Sequence, residues 1–132
     1  MPYITRQQKA VLEHMKSHSG SSLSAQALAK ELRAEGERVG IATVYRQLDR
    51  LEQSERIHKA LTEDGALYQY CTAGEHENCF LLKCERCGTI EHATCERVAP
   101  LYRHLEDEHG FRVNPHRTIF CGVCASCREA EA

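Results

Sequence analysis

Two cysteine pairs, Cys84-Glu-Arg-Cys87 and Cys124-Ala-Ser-Cys127, constrain this chain more than any other feature of its sequence. A Cys-x-x-Cys turn brings two sulfurs within reach of one cation. Two such turns complete a closed four-thiolate tetrahedron, which suits zinc and leaves no position open for a substrate. A site of that kind is structural, and it contributes folding free energy directly to a small unit with a thin core. The flanks agree. Phe80 to Lys83 reads as a strand running into the first pair, Thr89 to Ala93 as a strand leaving it, and Thr118 to Val123 as a strand ending at the second. A redox-active pair is the competing reading of either motif alone, and the doubling of the motif disfavours it.

The rest of the composition supports ligand cysteines over disulfides. No apolar run among the 132 residues approaches the roughly 20 needed to span a membrane, and MPYITRQQK lacks the apolar core of a secretion signal. The chain is therefore expected in the cytoplasm, with no membrane partner, where all eight cysteines stay reduced. Charge divides the chain in two. Residues 1–60 hold ten Lys/Arg against seven Asp/Glu and no cysteine, while residues 61–132 hold seven against twelve. That asymmetry predicts two modules with different partners, 1–72 and 73–132.

In the basic module, Val11, Leu12 and Met15 mark a helix from Thr5 to His18. Ser24 fits an N-cap, Leu23 a staple to Leu28, and Leu28 with Leu32 carries a second apolar stripe to a stop at Gly36. Ile41, Val44, Leu48 and Leu51 follow at spacings of 3, 4 and 3 and predict one buried face of a third helix. Thr43, Arg46 and Arg50 then point away from that face, with Ala42 and Tyr45 on its flank, a layout suited to the DNA major groove. IHKALTEDGALYQY reads as a hairpin about Asp64-Gly65. Helix, helix-turn-helix and hairpin in that order predict a winged helix.

In the acidic module, Val98, Leu101, Tyr102 and Leu105 predict a helix that stops at Gly110, with Pro100 tolerated in its first turn. Phe111 to Val113 reads as a further strand and the tail REAEA as frayed. The fold class expected is α/β: an N-terminal winged helix-turn-helix domain followed by a small α/β domain built on the four-cysteine zinc site.

Cys71, Cys79, Cys95 and Cys121 remain, with His58, His76, His92, His104, His109 and His116. His104 and His109 read as solvated or packed, and Cys121 as a small core residue. His58, Cys71, His76, Cys79 and His92 instead bracket the junction of the two modules. A metal bound there would tie the hairpin to the second module and fix their orientation, which is how a sensor would be built.

At these residues the sequence resembles the ferric uptake regulator family of bacterial metal-responsive repressors, over nearly the whole chain. GIATVYRQLDRLE at 40–52 resembles the family's recognition helix, CERCG and CGVCASC its zinc knuckles, and LEDEHGFRVNPH its linking helix and strand. The resemblance implies a dimerisation role for the second domain and a homodimer on a palindromic double-stranded operator when its regulatory metal is loaded. Where iron-type members carry a histidine-rich run before the first knuckle, this chain reads EHENCFLLKC. Cys71, His58 and His76 resemble positions of the zinc-sensing branch, and His92 falls where the family uses an acidic ligand. The implied regulatory zinc set is His58, Cys71, His76 and His92, with Cys79 able to displace His76 because the spacing from His76 to Cys84 is unusual. His116 resembles a ligand of an additional dimerisation-domain site. Gln8 stands where the family commonly has an arginine in its first helix, so a phosphate contact there falls to Arg6 and Lys9. Thiolate with imidazole favours Zn2+ over Fe2+. The expected function is a zinc-sensing repressor of metal uptake genes, and iron or peroxide sensing is the alternative within the family.

An enzyme is the rival class. His104-x-Glu106 lacks the Pro-Cys-x-x-Cys that deaminase chemistry requires, and no His-Glu-x-x-His occurs. No small-molecule substrate is expected.

Overall fold

In the computed structural model, which describes residues 6–72 and 79–131, the apolar spacings of the N-terminal half become three helices and a hairpin. α1 (Arg6–Ser17) buries Val11 and Met15, α2 (Ala25–Ala34) buries Leu28 and Leu32, and α3 (Ile41–Gln53) buries Val44, Leu48 and Leu51. These side chains form one core with Ile57 and Tyr68 of the hairpin. Ser24 caps α2, its Oγ accepting the Ala27 N–H at 3.0 Å. Gly36, at φ +93°, turns the chain out of α2 in a conformation that side chains disfavour.

The stripe on α3 is shorter than its spacing predicts. Ile41 is 38% exposed, because it opens the helix and lies beyond the turn that faces the core. Gln47 is buried in its place, which apolar periodicity does not register.

β1 (Ile57–Thr62) and β2 (Gly65–Tyr70) pair antiparallel from Ile57↔Tyr70 to Thr62↔Gly65. The two-residue turn is thus Glu63-Asp64, one position earlier than the Asp-Gly dipeptide suggests, and Gly65 takes φ +112° as the first strand residue. Leu23 adds a bridge to the wing, exchanging both backbone hydrogen bonds with Tyr68 at 2.8 Å.

A second sheet has the order β4-β3-β5, with β3 (Cys79–Cys84) at its centre. β4 (Ile90–Thr94) pairs with β3 antiparallel, and β5 (Ile119–Gly122) pairs with it parallel. Parallel pairing needs a crossover, which α4 (Val98–His109) supplies. α4 lies on the Cys79/Leu81 face, where the Tyr102 hydroxyl donates to the Cys79 carbonyl at 3.2 Å. The other face carries Phe80 edge-on to Phe120 at 5.3 Å, with Leu82 and Phe120 exposed.

Three local expectations are corrected here. Residues 111–113 are not a strand: after Gly110 caps α4 at φ 63°, the Phe111 N–H turns back to the Leu105 carbonyl at 3.0 Å. The tail is helical, not frayed, as α5 (Ala125–Glu131), which the Arg128 N–H nucleates on the Cys124 carbonyl at 2.9 Å. Cys121 is exposed and not a core residue, since its partner across the ladder is Lys83 and not an apolar side chain.

The chain divides into two units, 1–71 and 72–132. Among the described residues, no helix is long and apolar enough to cross a membrane.

Candidate metal centres and nucleic-acid face

The four knuckle cysteines meet at one end of the second sheet. β3 and β5 run parallel with Cys84 opposite Gly122, so the turns that follow both strands emerge side by side. The Glu85 N–H crosses to the Gly122 carbonyl at 2.7 Å and locks the two turns together. All four Sγ atoms of Cys84, Cys87, Cys124 and Cys127 lie within 4.8 Å of one another, and Cys87 Sγ stands 3.8 Å from Cys124 Sγ. A tetrahedral ion with bonds of about 2.3 Å to sulfur has an edge of about 3.8 Å, so the donor set fits zinc in size as well as in chemistry.

The surrounding backbone already prepares the charge. The N–H groups of Arg86, Cys87 and Cys124 point at Cys84 Sγ from 3.4 to 3.5 Å. Those of Cys124 and Cys87 in particular pull the Cys84 thiol down from 9.0 to about 6. Hydrogen bonds from the side chain and backbone of Thr89 lower Cys87, with the Thr89 hydroxyl 3.2 Å from its sulfur. Cys127 moves the other way, pushed up to about 12 by the crowding sulfurs of Cys124 and Cys84. One thiolate is favoured and four are not, which is the imbalance that a divalent cation among them removes.

Each unit also carries a histidine and a cysteine on one face of an antiparallel ladder. In the first unit His58 pairs with Gln69, and the Cys71 N–H extends the ladder to the Arg56 carbonyl at 3.0 Å. Cys71 therefore lies diagonally across from His58 on the same face, and both are buried. In the second unit Cys79 pairs with Thr94 and Leu81 with His92, which sets Cys79 and His92 diagonally on one face. Thr72 Oγ1 lies 3.4 Å from His92 Nδ1. His76 falls outside the described residues. His116 is buried on a 3-10 turn (Pro115–Arg117), where its N–H is accepted by Asn114 Oδ1 at 3.0 Å. His104 and His109 are exposed, edge to face at 5.2 Å.

On α3, Arg46 and Arg50 are exposed, Tyr45 is 39% exposed and Thr43 half-buried. A partner that residue spacing does not reveal is Gln26 of α2, whose Nε2 donates to the Tyr45 hydroxyl at 3.1 Å and sets the ring's direction. Gln69, opposite His58, is another: it is buried, accepts from the Ser22 hydroxyl at 2.8 Å and ties the wing to the loop before α2.

A winged helix-turn-helix unit followed by a small α/β unit closed by four thiols is the architecture of one class of metal-binding regulator. The chain belongs to the ferric uptake regulator family, whose model matches residues 3–121. Among its relatives, the ferric uptake regulation protein of Neisseria meningitidis serogroup B is 27% identical over 95% of this chain and 85% of its own length. The zinc uptake regulation protein of Mycobacterium tuberculosis is 33% identical over 80% of this chain and 79% of its own. A solved structure of a zinc uptake regulator complexed with zinc and DNA superposes with a TM-score of 0.72 at 28% identity, covering 98% of this chain and 85% of that one.

Proposed function

We propose that this protein is a zinc-responsive repressor that binds double-stranded operator DNA as a homodimer and controls genes of metal uptake. The observation that carries the reading is the donor chemistry. Each unit offers one imidazole and one thiolate from a single ladder face, His58 with Cys71 and His92 with Cys79. Two such pairs make a four-coordinate sulfur–nitrogen set, which favours Zn2+ over the harder Fe2+. Cys79 takes the place for which His76 is the other candidate, because Cys79 shares the face of His92. The similarity to a zinc uptake regulator complexed with zinc and DNA supports the same reading.

In this reading Cys84, Cys87, Cys124 and Cys127 hold a structural zinc, whose chemistry is to cross-link two strand ends. The regulatory zinc draws its ligands from both units, so its occupancy biases how the DNA-reading unit is presented. It can do so only by binding the DNA-competent state more tightly, and the operator then tightens zinc by the same factor. Arg46 contacts phosphate or a guanine edge, Tyr45 lies against a thymine methyl, Thr43 supplies a hydroxyl and Arg50 adds charge. The open apolar face at Leu82 and Phe120 supports a self-complementary partner, a second copy of the second unit.

The test is the metal content of the protein purified without added metal or chelator, followed by binding to duplexes selected from a random pool. Zn2+ should tighten binding, and Fe2+ under anaerobic conditions should not. Tightening by Fe2+ alone would make the chain an iron sensor, in keeping with its ferric relatives.

A further inference from the structure

We propose that the first unit carries a divalent-metal site of its own between α1 and α2, with His14, His18 and Glu31 as ligands and Glu35 as the group that orients His14. None of these residues belongs to the thiol centres, and the proposal does not rest on the sensing reading above.

His14 and His18 stand four residues apart on α1, so both rings project from one face of the helix. They stack with centroids 4.4 Å apart. Glu31 and Glu35 repeat the same spacing at the end of α2 and face them. His14 is buried, its Nε2 lying 3.0 Å from Glu31 Oε1 and its Nδ1 3.0 Å from Glu35 Oε1. One ligand atom from each of His14, His18 and Glu31 falls within a common 4.8 Å.

The outer contacts match what metal-bound histidines have. His18 Nδ1 lies 2.8 Å from the His14 carbonyl, and His14 Nδ1 meets the Glu35 carboxylate. Each ring can donate Nδ1–H to an oxygen and turn Nε2 outward as a ligand. Two nitrogen or oxygen ligands about 2.1 Å from one cation stand roughly 3.0 to 3.4 Å apart, between octahedral and tetrahedral angles. The 3.0 Å from His14 Nε2 to Glu31 Oε1 fits that edge. A proton can bridge the gap, and so can a divalent ion.

Electrostatics favours the ion. Glu31 and Glu35 sit in the last turn and C-cap of α2, and His14 and His18 at the last turn of α1. Helix C-termini present carbonyl oxygens and favour cations, yet here two carboxylates are added to two such ends. A divalent charge balances both carboxylates. The ligand class is a borderline cation such as Zn2+, held by two imidazoles and a carboxylate with water completing the shell.

The experiment uses the full chain with its thiol centres filled by Zn2+, titrated with Co2+ as the probe. Wild type should take up one ion more per chain than H18A, with weak visible bands and no sulfur-to-metal charge transfer in the near ultraviolet. His18 is exposed at the helix end, so H18A keeps its fold, which circular dichroism and the unchanged zinc content verify. E31Q should lose the same ion, and E35Q should bind it roughly 10- to 100-fold more weakly, as removal of an orienting partner does. Uptake as strong in H18A as in wild type, or no uptake beyond the thiol centres, overturns the site and leaves His14 an ordinary ion-pair partner.

Discussion

The first unit closes its core on Val11, Leu28, Leu32, Val44, Leu48 and Leu51, all but fully buried aliphatic side chains, while the buried positions of the second unit's sheet are Cys79, Leu81, Cys84 and Ile90. Half of that second set is sulfur. The second unit also leaves Leu82, Leu101, Phe111, Phe120 and Val123 exposed among its described residues. Burial of aliphatic surface gives the first unit a stability that no ligand sets. The second lacks that area, and its four thiols supply by coordination what its core does not. Metal should therefore act on the two units in opposite ways: as a condition of folding in one, and as a signal or fastener in the other.

The strongest way to break this comparison is Cys84→Ser or Cys124→Ser. Either forfeits several kcal/mol of metal-linked folding free energy, out of roughly 10 to 16 kcal/mol typical of binding at a structural zinc. The second unit should unfold or the protein become monomeric, while amide exchange in α1 to α3 stays slow. A stable dimer with unchanged zinc stoichiometry would show that the thiols are not its cross-link.

Leu48→Ala tests the other half. The side chain is fully buried in the first core, and its truncation should cost roughly 2 to 5 kcal/mol in the melting of that unit. Added zinc or chelator should leave that cost unchanged. Restoration of the variant by zinc would mean that the first unit too is held by metal.

A smaller effect separates sensing from folding. His58→Ala combined with Cys71→Ala should keep the structural zinc, the helix content and the dimer, yet bind operator weakly with or without zinc. The loss corresponds to a coupling of about 1 to 3 kcal/mol, or roughly 5- to 150-fold in affinity. Zinc-dependent tightening equal to wild type would place the sensor elsewhere, with His76 or His116 first to be tested.

The smallest changes lie on α3. Arg50→Ala should weaken binding evenly across sequences and reduce the salt slope by about one, while Tyr45→Ala should relax sequence preference with little change in that slope. A competition assay over variant operators distinguishes them. Unchanged preference in the Tyr45 variant would mean that another face of α3 reads the bases.

Much of the local structure is legible in the sequence because its causes are local. The Ser24 cap, the Val44-Leu48-Leu51 stripe and the Gly110 stop each depend on residues within one or two helical turns. Ile41 and Gln47 depart from the pattern because periodicity assigns a face by residue type, whereas burial at a helix end is decided by what packs there. The Phe111 stretch reads as a strand from its apolar side chains, but its backbone N–H is spent on capping α4. His14 and His18 show a ligand spacing in the sequence, yet Glu31 is 17 residues from His14 and is met only through the packing of α2 on α1.

By itself the sequence determined which residues could be ligands, where the helices begin and end, and that Cys84-x-x-Cys87 and Cys124-x-x-Cys127 each form a two-sulfur turn. Their union into one tetrahedron was decided by tertiary structure alone. β5 must lie parallel to β3 with Gly122 beside Cys84, a pairing that α4 makes possible by crossing over between them. The same holds for His58 with Cys71 and for Cys79 with His92, which share a face because of ladder register and not because of spacing. Caps and periodicities follow from steric and hydrogen-bonding preferences of near neighbours. Strand partnership follows from burial and ladder hydrogen bonds that exist only once distant segments have met.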